Sequence, residues 1–235
     1  MPIDFFDPEN VYAIFSQQDY VTRRHAHYVL EVVCASAGTF KIETPRQTYH
    51  NLSTVIIPPN KSHSFSCIGA TCNLLFLDPL SPIGRYFMQR YRLNSEHEII
   101  ADLPEFQLFH WHGKFNIDCL LEKAAQEPVE DLDSRLVGCI QKIDELCTAG
   151  NISLSELSKH SFLSEGRLSH LFKSSLGISI HQYILWRKII SAISRSRSGY
   201  SITDCAHAVG FFDSSHFNKV FMKTFGIKPS FVLKD

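Results

Sequence analysis

The sequence predicts an α+β protein with a β-barrel over residues 1–115, a helical spacer over 116–149 and an all-α domain over 150–235. Three observations predict it. Short apolar runs broken by turn residues fill the first eighty positions. Apolar stripes of helical period take over beyond residue 116. One pattern of short helix, turn and longer helix then occurs twice, at residues 154–177 and 201–226. At 235 residues the chain has length enough for two cores.

The strand-like runs are residues 11–15, 28–33, 39–43, 54–57 and 73–77. Gly38, Pro45-Arg46, Pro58-Pro59-Asn60 and Gly69 punctuate them. Short strands at this spacing suit a small sandwich or barrel. His25, His27 and Glu31 share parity, so on one strand they face one side. A straight strand carries Glu31 ~13 Å past His27, at ~3.3 Å per residue, so convergence on one ligand requires a bend between them.

Residues 85–93 are aromatic and basic, and residues 106–115 hold His110, Trp111 and His112, which are read as packing against the barrel. Residues 116–126 and 132–147 are amphipathic helices. Ile117, Leu120, Leu121 and Ala124 line the first; Leu136, Ile140, Ile143 and Leu146 line the second. Residues 128–133 break between them, and 148–153 (TAGNIS) form the domain boundary.

In the first repeat Leu154 and Leu157 face inward, residues 161–163 turn, and Ser164 caps a helix whose Leu168, Leu171 and Phe172 make the buried stripe. In the second, Ile202, Cys205, Ala206 and Val209 face inward, Gly210-Phe211 turns, and Asp213 caps. Its stripe is Phe217, Val220, Phe221 and Phe225. The connector, residues 179–196, is ~27 Å long at ~1.5 Å per residue. Two helix-turn-helix units on such a rod suit successive major grooves, ~34 Å apart.

These residues resemble the AraC family of bacterial transcription regulators. The matching pieces are residues 164–173 before Gly177, Tyr183-Ile184-x-x-Arg187, residues 206–211 (AHAVGF), His216-Phe217 to Phe221, and Phe225-Gly226 with Pro229. Ser158 stands where the family favours Ala, and residues 232–235 lack the family's closing Tyr-Arg. Upstream, His25-x-His27-x3-Glu31-x6-Gly38 followed by Pro58-Pro59-x3-His63 resembles the cupin barrel that precedes the DNA-binding unit in many AraC-type regulators. That resemblance implies an effector pocket at His25, His27, Glu31 and His63. Three roles stay open for these four: lining the pocket, holding a divalent metal, or a purely structural one. No other cofactor is implied.

Assigning the apolar stripes inward leaves Glu165, Gly166, Ser169, His170 and Lys173 outward on the first recognition helix, with Arg167 at the edge. Ser214, Ser215, Asn218 and Lys219 are outward on the second, with His216 at the rim. The resemblance places base contacts on Gly166, Ser169 and His170, and on Ser214, Ser215, Asn218 and Lys219. Asn218 can read adenine, and Lys219 can reach guanine or phosphate. Arg187, Lys188, Arg195 and Arg197 on the connector are phosphate candidates.

Charge agrees with this division. The net charge is −1 overall, but −7 over residues 1–149 and +6 over 150–235, the footprint of a nucleic-acid module. The seven cysteines show no metal-ligand spacing. Cys34, Cys72 and Cys205 read as core residues, and Cys67-x4-Cys72 as a reduced pair. No apolar run reaches membrane-spanning length, so a cytoplasmic protein is expected.

The reading is a regulator of double-stranded DNA with a small-molecule effector and no catalytic residues. The resemblance adds RNA polymerase as a partner, activation as the family expectation, and a homodimer face near the spacer helices. One rival is a metal-dependent cupin enzyme using His25, His27, Glu31 and His63. The other is a constitutive DNA binder whose barrel only dimerises.

Overall fold

Extended runs of alternating burial build the first part of the chain and helices of period 3.6 the second. The computed structural model describes residues 5–7, 11–93, 98–103, 105, 109–111, 113–127, 131–147, 152–225 and 229. Its contacts form two units: Met1–Val129 with Lys223–Ile227, and Glu130–Met222 with Lys228–Asp235. His112, Gly226 and residues 128–130, 148–151 and 232–235, which the sequence analysis drew on, lie outside the described residues.

The first unit contains β1 (Phe5–Asp7), β2 (Tyr12–Gln18), β3 (Leu30–Ala37), β4 (Phe40–Glu43), β5 (Thr48–Leu52), β6 (Thr54–Ile57), β7 (Ser64–Ser66) and β8 (Thr71–Leu77). Helix α1 (Pro82–Arg90), β9 (Ile100–Ala101), the ribbon of β10 (His110–Trp111) and β11 (Lys114–Phe115), and helix α2 (Ile117–Gln126) follow. One antiparallel sheet runs β1-β2-β8-β3-β6-β9 and a second β5-β4-β7. Successive residues of a strand point to opposite faces, and β3 uses both. Leu30, Val32 and Cys34 join Leu75 and Leu77 of β8 in a core with Ile83, Tyr86 and Phe87 of α1 and Leu120 and Ala124 of α2. Glu31 takes the other parity and lines a cavity with Phe65 of the second sheet, so the two sheets face one another.

Helix α1 was not among the expected elements, yet its signal is legible. The Ser81 hydroxyl accepts from the Gly84 N–H, and Pro82 opens the first turn, where a missing N–H costs nothing. Strands β5 and β7 were also not anticipated; they are short and half polar. The expected spacer is divided. Helix α2 packs on α1 in the first unit, whereas α3 (Ser134–Cys147) packs on α4 and α6 in the second.

The second unit continues with α4 (Leu154–His160), α5 (Glu165–Leu176), α6 (Ile180–Arg197), α7 (Ile202–Ala208) and α8 (Ser214–Phe225), whose residues from Lys223 on count with the first unit. The two helix-turn-helix turns are built alike. Leu163 N–H donates to the Ser158 carbonyl at 3.1 Å, and Phe211 N–H to the Ala206 carbonyl at 3.0 Å. Each turn has one residue at positive φ: Phe162 at 53° and Gly210 at 77°. Ser158 is buried and its hydroxyl donates to the Ser155 carbonyl at 2.9 Å, which accommodates a polar residue at this packed place. A capping box of Ser179 and Gln182 starts α6, whose Tyr183, Trp186, Ile189 and Ile193 are buried. All seven cysteines are free thiols.

Candidate ligand cavity and nucleic-acid interface

The bend that three convergent groups require is present. Residues 22–29 do not continue β3; the chain bends at Tyr28 and Val29 before the strand begins at Leu30. His25 is instead paired with His63, each backbone N–H donating to the other's carbonyl at 2.9 Å. This brings all four expected pocket residues together. Glu31 Oε2 lies 2.9 Å from His27 Nε2 and 3.2 Å from His63 Nε2, the latter out of line for a hydrogen bond. The His25 and His63 rings are 4.4 Å apart between centroids.

Every Nδ1 of the three imidazoles faces a backbone carbonyl at 2.9 Å: Arg23 for His25, Val29 for His27 and Lys61 for His63. A carbonyl only accepts, so each Nδ1 carries the proton and each Nε2 is turned to the cluster. The ligand atoms of His25, His27 and His63 lie within 4.8 Å of one another. With Glu31 they form a donor set that fits a divalent transition metal. Electrostatics binds the cluster as well. Burial favours protonated Glu31, but His27 and His63 outweigh it and hold the carboxyl well below its usual range. Burial lowers His63, and the Glu31 carboxylate overcomes this and raises it. Burial, with His27 and His63 nearby, pushes His25 down to about 3.

Gln17 belongs to this site and was missed, because the expected strand stopped at residue 15 while β2 runs on to Gln18. It shares parity with Phe15 and lines the cavity with Tyr20, His25 and Glu31. Its side chain is 3 % exposed, and its Oε1 has no hydrogen-bond partner among the described residues.

On the helical unit, Ser164 accepts from the Arg167 N–H at the start of α5, and Asp213 accepts from the His216 N–H at 2.6 Å at the start of α8. Both helices present the expected polar face. Arg167, His170, Ser215, Asn218 and Lys219 are exposed, and Ser169 and Ser214 half-buried. Three expected DNA contacts are otherwise engaged; Lys188 Nζ donates to the Gly210 carbonyl at 3.4 Å. Lys173 Nζ donates to the Gly177 carbonyl at 2.8 Å, closing the C-terminal end of α5. Arg187 Nε lies 2.6 Å from Asp144 Oδ1, so its guanidinium ties α6 to α3. Among the connector cations, Lys188 and Arg195 are half-buried and Arg197 is exposed. Sequence reasoning also missed two exposed aromatics. Phe162 is 95 % and Phe212 87 % exposed, and each sits in the turn before a recognition helix.

Residues 157–235 match the family described as a helix-turn-helix domain. Over 100 residues, 42% of this chain, identity with the arabinose operon regulatory protein of Escherichia coli (strain K12) is 33%. The helical unit of this chain is therefore similar to the DNA-binding part of an AraC-type regulator. The matched stretch spans about a third of that relative's length, 34%. The chain is also 29% identical to the probable transcriptional regulator LumQ of Photobacterium leiognathi, over 74% of its own length and 76% of LumQ. Its fold is similar to that of unsaturated fatty acid bound ToxT from Vibrio cholerae strain SCE256, with a TM-score of 0.62 at 15% identity over 95% of each chain.

Proposed function

We propose that this chain is a sequence-specific DNA-binding transcription regulator whose N-terminal β domain takes a small-molecule effector. The observation that supports it most is the duplicated turn. Two recognition helices, α5 and α8, each carry a side-chain N-cap, Ser164 and Asp213, follow the same backbone turn and present polar outer faces. Asn218 and Lys219 supply base and phosphate contacts on α8, and Ser169, His170 and Arg167 on α5. Lys173 and Arg187 act through structure, holding the end of α5 and the seat of α6. RNA polymerase is the partner the family supplies, and α2 and α3 are the helices for a homodimer. Among the described residues no helix is long and apolar enough to cross a membrane.

A titration of labelled duplex at stepped salt tests the DNA reading. The logarithm of the affinity should fall linearly with the logarithm of salt, and Lys219→Ala should flatten the slope by about one counterion. A salt-independent affinity contradicts it.

A second reading has its own observation, the three imidazole ligand atoms within 4.8 Å. His25, His27, His63 and Glu31 would hold a divalent metal, which as a Lewis acid would anchor an oxygen-bearing ligand in the cavity. Metal analysis after purification without added ions, and again after chelation and reloading, tests it. One bound equivalent per chain favours this reading, and none removes it.

A further inference from the structure

We infer that the effector cavity of the β domain takes an organic cation, the ammonium head of a primary amine, and not a carboxylate. The inference rests on the reading of this domain as the effector-binding part. It starts from the polar atoms that the cavity offers. Gln17 Oε1 is buried and has no partner among the described residues, although leaving such an oxygen unpaired is costly. His25 gives its Nδ1 proton to the Arg23 carbonyl, so its Nε2 is an acceptor. Glu31 is 2 % exposed and brings a carboxylate. The hydroxyl of Thr22, also on the wall, accepts from the Phe65 N–H.

Three acceptors of this kind match the three N–H donors of an R–NH3+ group. A carboxylate ligand would meet Glu31 with like charge and leave Gln17 Oε1 unpaired. The apolar wall agrees with a cation. Phe15, Tyr20, Phe65 and Phe76 line the same small cavity, and aromatic faces attract an ammonium, most strongly where water is excluded. A bare metal ion at the imidazoles would use neither the aromatic wall nor the amide oxygen. In this structure Glu31 Oε2 already bonds His27 Nε2 at 2.9 Å.

The test is ligand-induced thermal stabilisation of the full chain, followed by calorimetry. The probes are methylamine, butylamine and 2-phenylethylamine, with sodium oleate, xylitol, zinc chloride and manganese chloride as the other arms. A saturable rise in Tm with at least one amine is expected, unchanged by a chelator. Gln17→Leu should weaken that amine at least tenfold while folding as well as the parent, since it removes an unpaired buried oxygen. Gln17→Glu should retain or tighten it. Stabilisation by oleate, xylitol or metal alone overturns the inference, as does unchanged amine affinity in Gln17→Leu. Amine binding with no change in DNA affinity would keep the cation site and remove the effector role. Loss of sequence-selective DNA binding leaves the amine result standing by itself.

Discussion

At Gly166 an added methyl would meet nothing within 4 Å, although the residue lies inside α5. Gly166→Ala should therefore raise stability by up to ~1 kcal/mol through helix propensity, read as a higher melting temperature. A lower one would show a close approach that the fold does not contain. Phe162 is the opposite case, a bulky residue at φ 53° with its ring in solvent. Phe162→Asn keeps the turn, suits that backbone and loses little packing, so stabilisation by about 1 kcal/mol is expected in chemical denaturation. Asn218→Ala should relax preference at one base pair at a cost of ~1–3 kcal/mol, visible as equal affinity for duplexes differing there. Residue identities at this scale were largely legible, because the apolar stripes fix which positions face out. What the sequence hid were partners. Nothing in the order of residues says that Lys173 closes its own helix or that Arg187 meets Asp144. Gln17 was hidden for another reason: a polar pair at a strand's end reads as the end of the strand.

Elements show the same division between pattern and contact. The repeated helix-turn-helix was legible down to the caps, since Ser164 and Asp213 sit where an orphaned N–H needs an acceptor. Strands β2, β3, β4, β6 and β8 follow from apolar runs, whereas β5 and β7 take their pairing from β4, a fact of tertiary structure. Helix α1 is held by a close backbone approach. A methyl at Gly84 would lie 1.9 Å from the Asp78 carbonyl oxygen. Gly84→Ala should cost ~3 kcal/mol or more, with the loss concentrated in the β unit by hydrogen exchange. Stability equal to the parent would mean that α1 is not seated on the Asp78 turn. The connector α6 begins with the Ser179–Gln182 capping box, so Ser179→Ala should cost ~1 kcal/mol in the helical unit. The divided spacer was beyond sequence reasoning. Both α2 and α3 are amphipathic, and an apolar stripe does not name the surface it will cover.

At the scale of the whole molecule, a basic double helix-turn-helix region follows an acidic β region, −7 over residues 1–149 against +6 over 150–235. Net charge near zero conceals that asymmetry, and the repeat reveals it. Both recognition helices follow one plan but differ in chemistry: α8 presents Asn218 and Lys219, and α5 presents Gly166, Ser169 and His170. The two half-sites should accordingly differ in information, with the α8 box better defined. The central claim is that both helices read DNA. Selection of binding sites by the purified full chain from a random duplex library, at fixed salt, tests it most directly. The account predicts an enriched site of two boxes about one helical turn apart. A single box, or no enrichment, would contradict it.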